Sequence, residues 1–437
     1  MALGGGTWST QNKILPGYYV NFSSAARASS ALSERGTVAI PLVLDWGPTD
    51  TVISITSADF QKDSMKLLGY PFDAPEMLPL REIFKNANTV LAYRLANAPA
   101  AAENTYATAK YAGTRGNDIK ISIAENIDNP DTYDVSTYVE SSLVDTQNVS
   151  TAADLVENDY VIFKSSASLA AQTGVPLTGG TNGSGVTGEQ YQTFLDKIES
   201  YSFHALGCPS SESNIIGLFV AFTKRMRDEV GAKFKTIVFQ TAADYEGVIN
   251  VDNEATGGDA SKYGLVYWVT GAEAGCEVNA SNTNKAYDGE YTIDVDYTQA
   301  ELEAGIKAGK YMLHNVNGSI RVLDDINSLT TLTDEKGADF QSNQTIRVCD
   351  QIANDVANLF ATRYLGTVPN DASGRISLWN DICKIYEALE TRRAIENFDS
   401  ESVQVEQGET RKSVVCNVSG LNIINAMSQL YMSVVIA

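Results

Sequence analysis

Apolar positions along the chain switch repeatedly between strand-like and helix-like spacing. Gly36–Trp46 (GTVAIPLVLDW) is a nearly unbroken apolar run stopped by Gly47-Pro48, the pattern of a strand buried on both faces. Ser57 is placed to cap a helix to Leu68, with Gly69 just beyond its C-terminal end. A second helix near Leu78–Lys85 leads into a strand at Thr89–Leu95, so this part reads as an α/β unit. Ahead of it, Tyr18–Ser24 is a short extended segment behind Pro16-Gly17.

The pattern changes at 98–165. Ile119–Ala124, Tyr133–Tyr138 and Tyr160–Phe163 alternate apolar and polar between Asn/Asp/Pro turns, as in a small β-sandwich or barrel. Ser165–Gly188, rich in Ser, Ala and Gly, reads as a linker. Helical and strand patterns then alternate again. Thr187 caps a helix over Glu189–Ser200, and Phe203–Cys208 is a strand. Ser213–Val230 is an amphipathic helix closed by Gly231, and Thr236–Gln240 is a buried strand. Thr298 and Glu301 form a capping box before a helix to Ala308. Such alternation predicts a mainly parallel sheet with helices on its faces. Long helices follow at Asn343–Tyr364 and Arg375–Ile395, then strands at Ser402–Glu406, Lys412–Val418 and Gln429–Ile436. The last of these is apolar and has no following element to cover it, so it needs a sheet edge, its own or a neighbour's.

At 437 residues and 47.1 kDa the chain has room for roughly three domains. Its 43% hydrophobic and 20% charged content supports a packed core and excludes collagen-like, coiled-coil and broadly disordered classes. The net charge of -22 argues against nucleic acid as a direct partner, since a phosphate-binding surface must be basic. That charge is unevenly placed. Residues 98–200 carry fourteen acids and five bases, and residues 240–304 thirteen acids and two bases. These segments are expected to be solvated surface, and the near-neutral remainder to be where partners pack. Five dispersed cysteines without a CxxC pair point to a reducing compartment, and two histidines make a Cys/His zinc site hard to build. The N-terminus lacks an export-signal pattern, and the longest strongly apolar run, Ile215–Phe222, is too short to cross a bilayer, so no membrane insertion is expected.

Few residues carry a chemical signature. Gly183–Gly188 matches GxGxxG but follows a turn-rich stretch rather than a strand, so a linker is expected and no cofactor. No GxxxxGK[ST] loop occurs. His204 and His314 lack a neighbouring nucleophile motif and read as structural. Asp244, Glu246, Asp252, Glu254 and Asp259 lack calcium-loop spacing and read as a solvated acidic face, with no metal. Lys224, Arg225, Arg227, Asp228 and Glu229 read as the exposed side of a helix.

Motifs in shared order along nearly the whole chain resemble contractile tail sheath proteins of bacteriophages and phage-tail-like bacteriocins of Gram-positive hosts. They are Lys13–Tyr18, Gly36–Pro41, Asp45–Pro48, Leu177–Gly183, Asp325–Thr331, Arg363–Gly366, Val368–Asn370, Gly374-Arg375, Leu378–Asp381 and Ala394–Phe398. Tyr19 stands where the family more usually has an aliphatic residue. The resemblance implies an α/β plus β multidomain tail-sheath fold. An N-terminal arm spans 1–30, and a small α/β region spans 31–97. An inserted β-sandwich or barrel spans 98–178, a subtilisin-like but non-proteolytic α/β main domain 179–335, and an α+β C-terminal domain 336–437. It implies strand-swapping arms, here Tyr18, Tyr19, Val20, Asn21 and Phe22, and Leu430, Tyr431, Met432, Ser433, Val434, Val435 and Ile436. The implied partners are further copies in a helical array, the inner tail tube, and baseplate and tail terminator proteins, assembled in the host cytoplasm. Arg375, Lys384, Arg392 and Arg393 are candidates to face the tube, or to pair with Glu387, Glu390 and Glu396 on their own helix. The rival classes are a subtilisin-like hydrolase and another self-assembling shell protein.

Overall fold

The computed structural model describes residues 32–256 and 261–436. They form two compact units. The larger holds 34–351, 393–396 and 423–436, and the smaller holds 32–33, 352–392 and 397–422. The segment Tyr18–Phe22, expected to be an arm, lies outside the described residues.

In the larger unit, seven strands form one sheet. Their order is Lys310–Tyr311, Val248–Val251, Lys235–Phe239, Ala205–Gly207, Thr37–Val43, Thr89–Leu95, Val52–Thr56. All neighbours are parallel except the last pair. The strands of 31–97 therefore share a sheet with those of 179–335. The apolar run that announced Thr37–Val43 reflects its central place. Val38, Ile40 and Leu42 enter one core layer, and Ala39 enters the other.

The helix Leu265–Gly275 is buried on all sides, which is why its composition is apolar throughout. It seats closely on Leu78–Phe84. A Cβ on Gly271 would stand 2.3 Å from the Ile83 carbonyl oxygen, and one on Gly275 would stand 1.9 Å from that of Asn86. Residues 240–304, expected to be solvated, thus contain the most enclosed helix of the sheet layer. The exposed acids lie mainly after it, from Glu277 to Glu303, whereas Glu246 and Asp252 ahead of it are buried.

Within the larger unit, a four-stranded antiparallel sheet joins Ser142–Val149, Tyr133–Val139, Ile119–Glu125 and Gln172–Pro176, beside the pair Ala107–Ala109 and Val161–Phe163. Ile119, Ile121 and Ile123 face its core, and Trp46 meets Tyr111 edge-on at 5.3 Å. Part of the expected linker is therefore a strand: Lys120 pairs with Pro176 and Ile121 with Val175, and Leu177 is fully buried. A bulge and Gly174 at φ 60° break the alternation that would have revealed it.

Local signals mostly hold. Thr187 with Gln190 and Thr298 with Glu301 form capping boxes. The cap of Ser57–Leu68 is Thr56, whose hydroxyl accepts from the Asp59 N–H while Asp59 answers back, and Gly69 closes the helix at φ 83°. A fuller box one residue upstream outcompetes Ser57. In the smaller unit, the helix Ala372–Thr391 starts at Asp371, which accepts from Gly374 N–H at 2.7 Å, rather than at Arg375.

Gly271→Ala should lower the urea midpoint by an amount equivalent to about 1–3 kcal/mol, because the added methyl meets backbone that cannot yield. Tryptophan fluorescence around the buried Trp268 is the measurement.

Candidate assembly surfaces

The C-terminal segment is anchored at its root and bare beyond it. Ile424 N–H donates to the Ala394 carbonyl at 3.0 Å. The buried Gln344 donates through Nε2 to the Ile424 carbonyl at 3.1 Å and accepts from Ala426 N–H at 2.9 Å. Asn425 meets the Thr345 hydroxyl at 3.1 Å. From Met427 to Ile436 the chain has no regular secondary structure. The strand expected at 429–436 is therefore not formed in a single copy, and among the described residues this segment joins no sheet. Its apolar side chains stand in water: Leu430 and Tyr431 are 88% exposed, Val435 and Ile436 92%.

In the smaller unit, Val403–Gln407 and Val414–Val418 form an antiparallel pair, registered Val403 to Val418 and Val405 to Cys416. Among the described residues each strand has only this one partner, so each keeps an unpaired edge. Trp379 Nε1 donates to the Val403 carbonyl at 3.0 Å and fixes the hairpin to the helix Ala372–Thr391. Asn370 Nδ2 holds its turn through the carbonyls of Arg411 and Ser413.

The four candidate cations do not form one patch. Arg375 and Lys384 are nine residues apart on one helix, half a revolution out of phase. Arg375 donates to Asn370, and Lys384 pairs with Asp381 at 3.1 Å, rather than with Glu387, Glu390 or Glu396. Glu390 instead accepts from Phe398 N–H. Arg392 closes the helix and Arg393 follows at φ 61°.

A buried charge cluster escaped the sequence reading. The Glu273 carboxylate takes Arg347 at 2.5 and 3.1 Å and Lys235 at 3.1 Å, with Arg35 at 3.8 Å. Arg347 also reaches Asp325 at 3.2 Å, and Lys235 donates to the Asn343 carbonyl at 2.6 Å. Burial opposes ionisation of Glu273, but Arg347 and Lys235 outweigh it and hold the carboxyl down to about 2. Burial pulls Lys235 down to about 8 despite Glu273. Arg227, expected to be exposed, is buried in a two-pronged pair with Asp350 at 2.7 and 2.8 Å. Spacing predicted a helix face but not that a partner from a distant segment would cover it. The Asp325–Thr331 motif belongs to the same assembly. Asn327 Nδ2 donates to the Phe340 carbonyl, and the Ser328 hydroxyl donates to that of Tyr245.

The remaining candidates sit in strands, turns and ion pairs. His204 Nδ1 accepts from Thr37 N–H at 3.3 Å, and burial pulls its pKa down to about 3. His314 lies in the short hairpin Leu313–Val316/Ser319–Val322. Gly183 turns at φ 78°, and Ser184 N–H is spent on the Asn97 carbonyl. Asp244 accepts from the N–H groups of Thr330 and Thr331, Glu246 pairs with Lys336, and Asp252 pairs with Lys310. Asp259 lies outside the described residues. Among the described residues no acid, His and Cys group is arranged to hold a metal.

The phage tail sheath family models match in sequence order along the chain. The tail sheath protein Gp18 domain III N-terminal region matches residues 35–95, and the sheath β-sandwich domain 88–182. The central domain matches 184–328, and the C-terminal domain 335–437. The phage-like element PBSX protein XkdK of Bacillus subtilis is 33% identical over 99% of both chains. The solved sheath tail protein from Listeria innocua is 34% identical, covering 91% of this chain and 94% of its own, with a TM-score of 0.80. The helical sheath of the anti-feeding prophage in its contracted state shares the fold at a TM-score of 0.57 and 12% identity, covering 97% of this chain and 99% of its own.

Glu273→Gln should cost about 3–5 kcal/mol, since it strands Arg347 and Lys235 in the core. The carboxyl titrates near 2 when folded and near about 4.3 when unfolded, so its contribution is full above about pH 5 and is lost as pH falls through 2. Urea titrations of both chains between pH 7 and pH 2 should show the difference shrinking with acid.

Proposed function

The chain belongs to the phage tail sheath family, and on that premise we propose how its parts serve a structural subunit of a contractile tail. Copies stack as a helical sleeve, joined head to tail by contacts that do not close. They surround an inner tube, between a baseplate and a terminator, and are assembled in the host cytoplasm. The observation that carries this is the C-terminal segment, rooted by Gln344 and apolar and bare from Met427 onward.

That segment, from Leu430 to Ile436, adds as a strand to a neighbour's open edge, as does Tyr18–Phe22. The hairpin Val403–Gln407/Val414–Val418 supports such a role, since both its edges are unpaired among the described residues. The sheet between its two helical layers is the part likened to subtilisin, as a shape and without catalysis. On triggering, subunits reorient as rigid bodies while the arms hold, and the sleeve drops from a metastable extended packing to a contracted one, driving the tube forward. Arg375, Lys384, Arg392 and Arg393 are proposed to face the tube, and the acidic sandwich of 98–178 to face outward.

Removing residues 429–437 should leave a soluble, folded chain that builds no sleeves. Negative-stain microscopy decides: normal sheaths from the truncated chain would rule out the arm.

A further inference from the structure

The ladder between the two central strands of the large sheet stops early. Thr37–Val43 pairs with Ala205–Gly207 only through Val38 and Ala39. Pro41 follows on one side and Pro209 on the other, and neither has an N–H to extend the ladder. The chain also departs in opposite directions here, from Thr37–Val43 toward Thr89–Leu95 and from Ala205–Gly207 toward Lys235–Phe239. In open parallel sheets, the crevice outside the carboxyl ends of the strands at such a reversal is where ligands bind.

A cavity of about 200 Å³ opens at this point. Leu42, Leu80 and Leu95 give it apolar walls, and Tyr191, Tyr263 and Tyr267 line it with rings. Tyr191 and Tyr267 are each only 7% exposed, and their hydroxyls have no hydrogen-bond partner among the described residues. Burial pushes both phenols well up, so both stay neutral. The rings of Tyr263 and Tyr267 lie 6.3 Å apart. Glu76 is the single charged residue in the described lining, and no cation balances it there.

We infer that this crevice binds an alkylammonium group on a short apolar stem. The leucines cover the stem, the ring faces attract the cation, the idle phenol oxygens accept its N–H groups, and Glu76 offsets its charge. An anion would meet Glu76 with nothing to balance it. The volume falls below the 300–1,000 Å³ or so of pockets that enclose a whole ligand, so a group of side-chain size fits. Two sources share this chemistry: a lysine of a neighbouring copy of the chain, and a free small amine.

Methyl NMR of the full chain, titrated with n-butylammonium chloride and separately with n-butanol, tests it. Saturable shifts are expected at the Leu42, Leu80 and Leu95 methyls. The ammonium should bind at least about tenfold tighter than the alcohol. That preference should vanish in a Glu76→Gln, Tyr267→Phe variant whose other methyl signals are unmoved, and Tyr267→Phe alone, which keeps the ring, should lose part of it. Equal affinity for alcohol and ammonium, or no saturation at these methyls, overturns the site. Repeating the titration on assembled sheaths separates the sources. Exclusion of the amine from sheaths assigns the crevice to a neighbour's lysine, and uptake by both forms assigns it to a free amine.

Discussion

One buried carboxylate organises the larger unit. Glu273 can stay ionised in the core only because Arg347, Lys235 and Arg35 converge on it, and they come from parts of the chain far apart in sequence. Arg35 precedes the central strand, Lys235 opens another strand, and Arg347 lies in the first turns of the helix Asn343–Leu359. Asp325 and Asn343 complete the set. Removing the carboxylate would take the shared partner from three cations in a water-free place, so the segments that carry them are tied to one another through it. Within the Asp325–Thr331 stretch, Asp325, Asn327 and Ser328 are thereby explained as a buried polar latch.

Much of the architecture was legible because it is periodic. Val38, Ile40 and Leu42 against Ala39 is an alternation, and the helices Gly188–Ile198 and Ser213–Arg225 show their apolar stripes plainly. What stayed hidden depends on distant partners. Arg227 looks like any surface arginine until Asp350, 123 positions away, covers it, and Glu273 like any helical acid until Arg347 arrives. Gln172–Pro176 is short and bulged, so its strand character comes from pairing with Ile119–Glu125 rather than from its own residues. The candidate assembly surface was half legible. The apolar tail could be seen, but not that Gln344 ties down its root or that Trp379 holds a hairpin with two open edges.

Charge takes on a different sense once placed. Of the acids in 240–304, Glu273 is consumed by the core, Asp252 and Glu246 are spent on Lys310 and Lys336, and Asp244 caps Thr330 and Thr331. Net charge read from composition therefore overstates what this region shows to water. The sandwich differs, since Asp134, Asp145 and Asp154 hold local turns and cross-strand amides at an exposed surface.

The clamp on the C-terminal segment also sets a path for mechanical load. Any pull on residues beyond Ser428 meets in turn Ala426 on Gln344, Asn425 on Thr345, and Ile424 on Gln344 and Ala394. Gln344 adjoins Asn343 and sits one turn from Arg347, so tension passes straight to the salt-bridged core rather than into a surface loop. Such a joint places the load beside the salt-bridged core, and forced opening of that core would be governed by its unfolding rate.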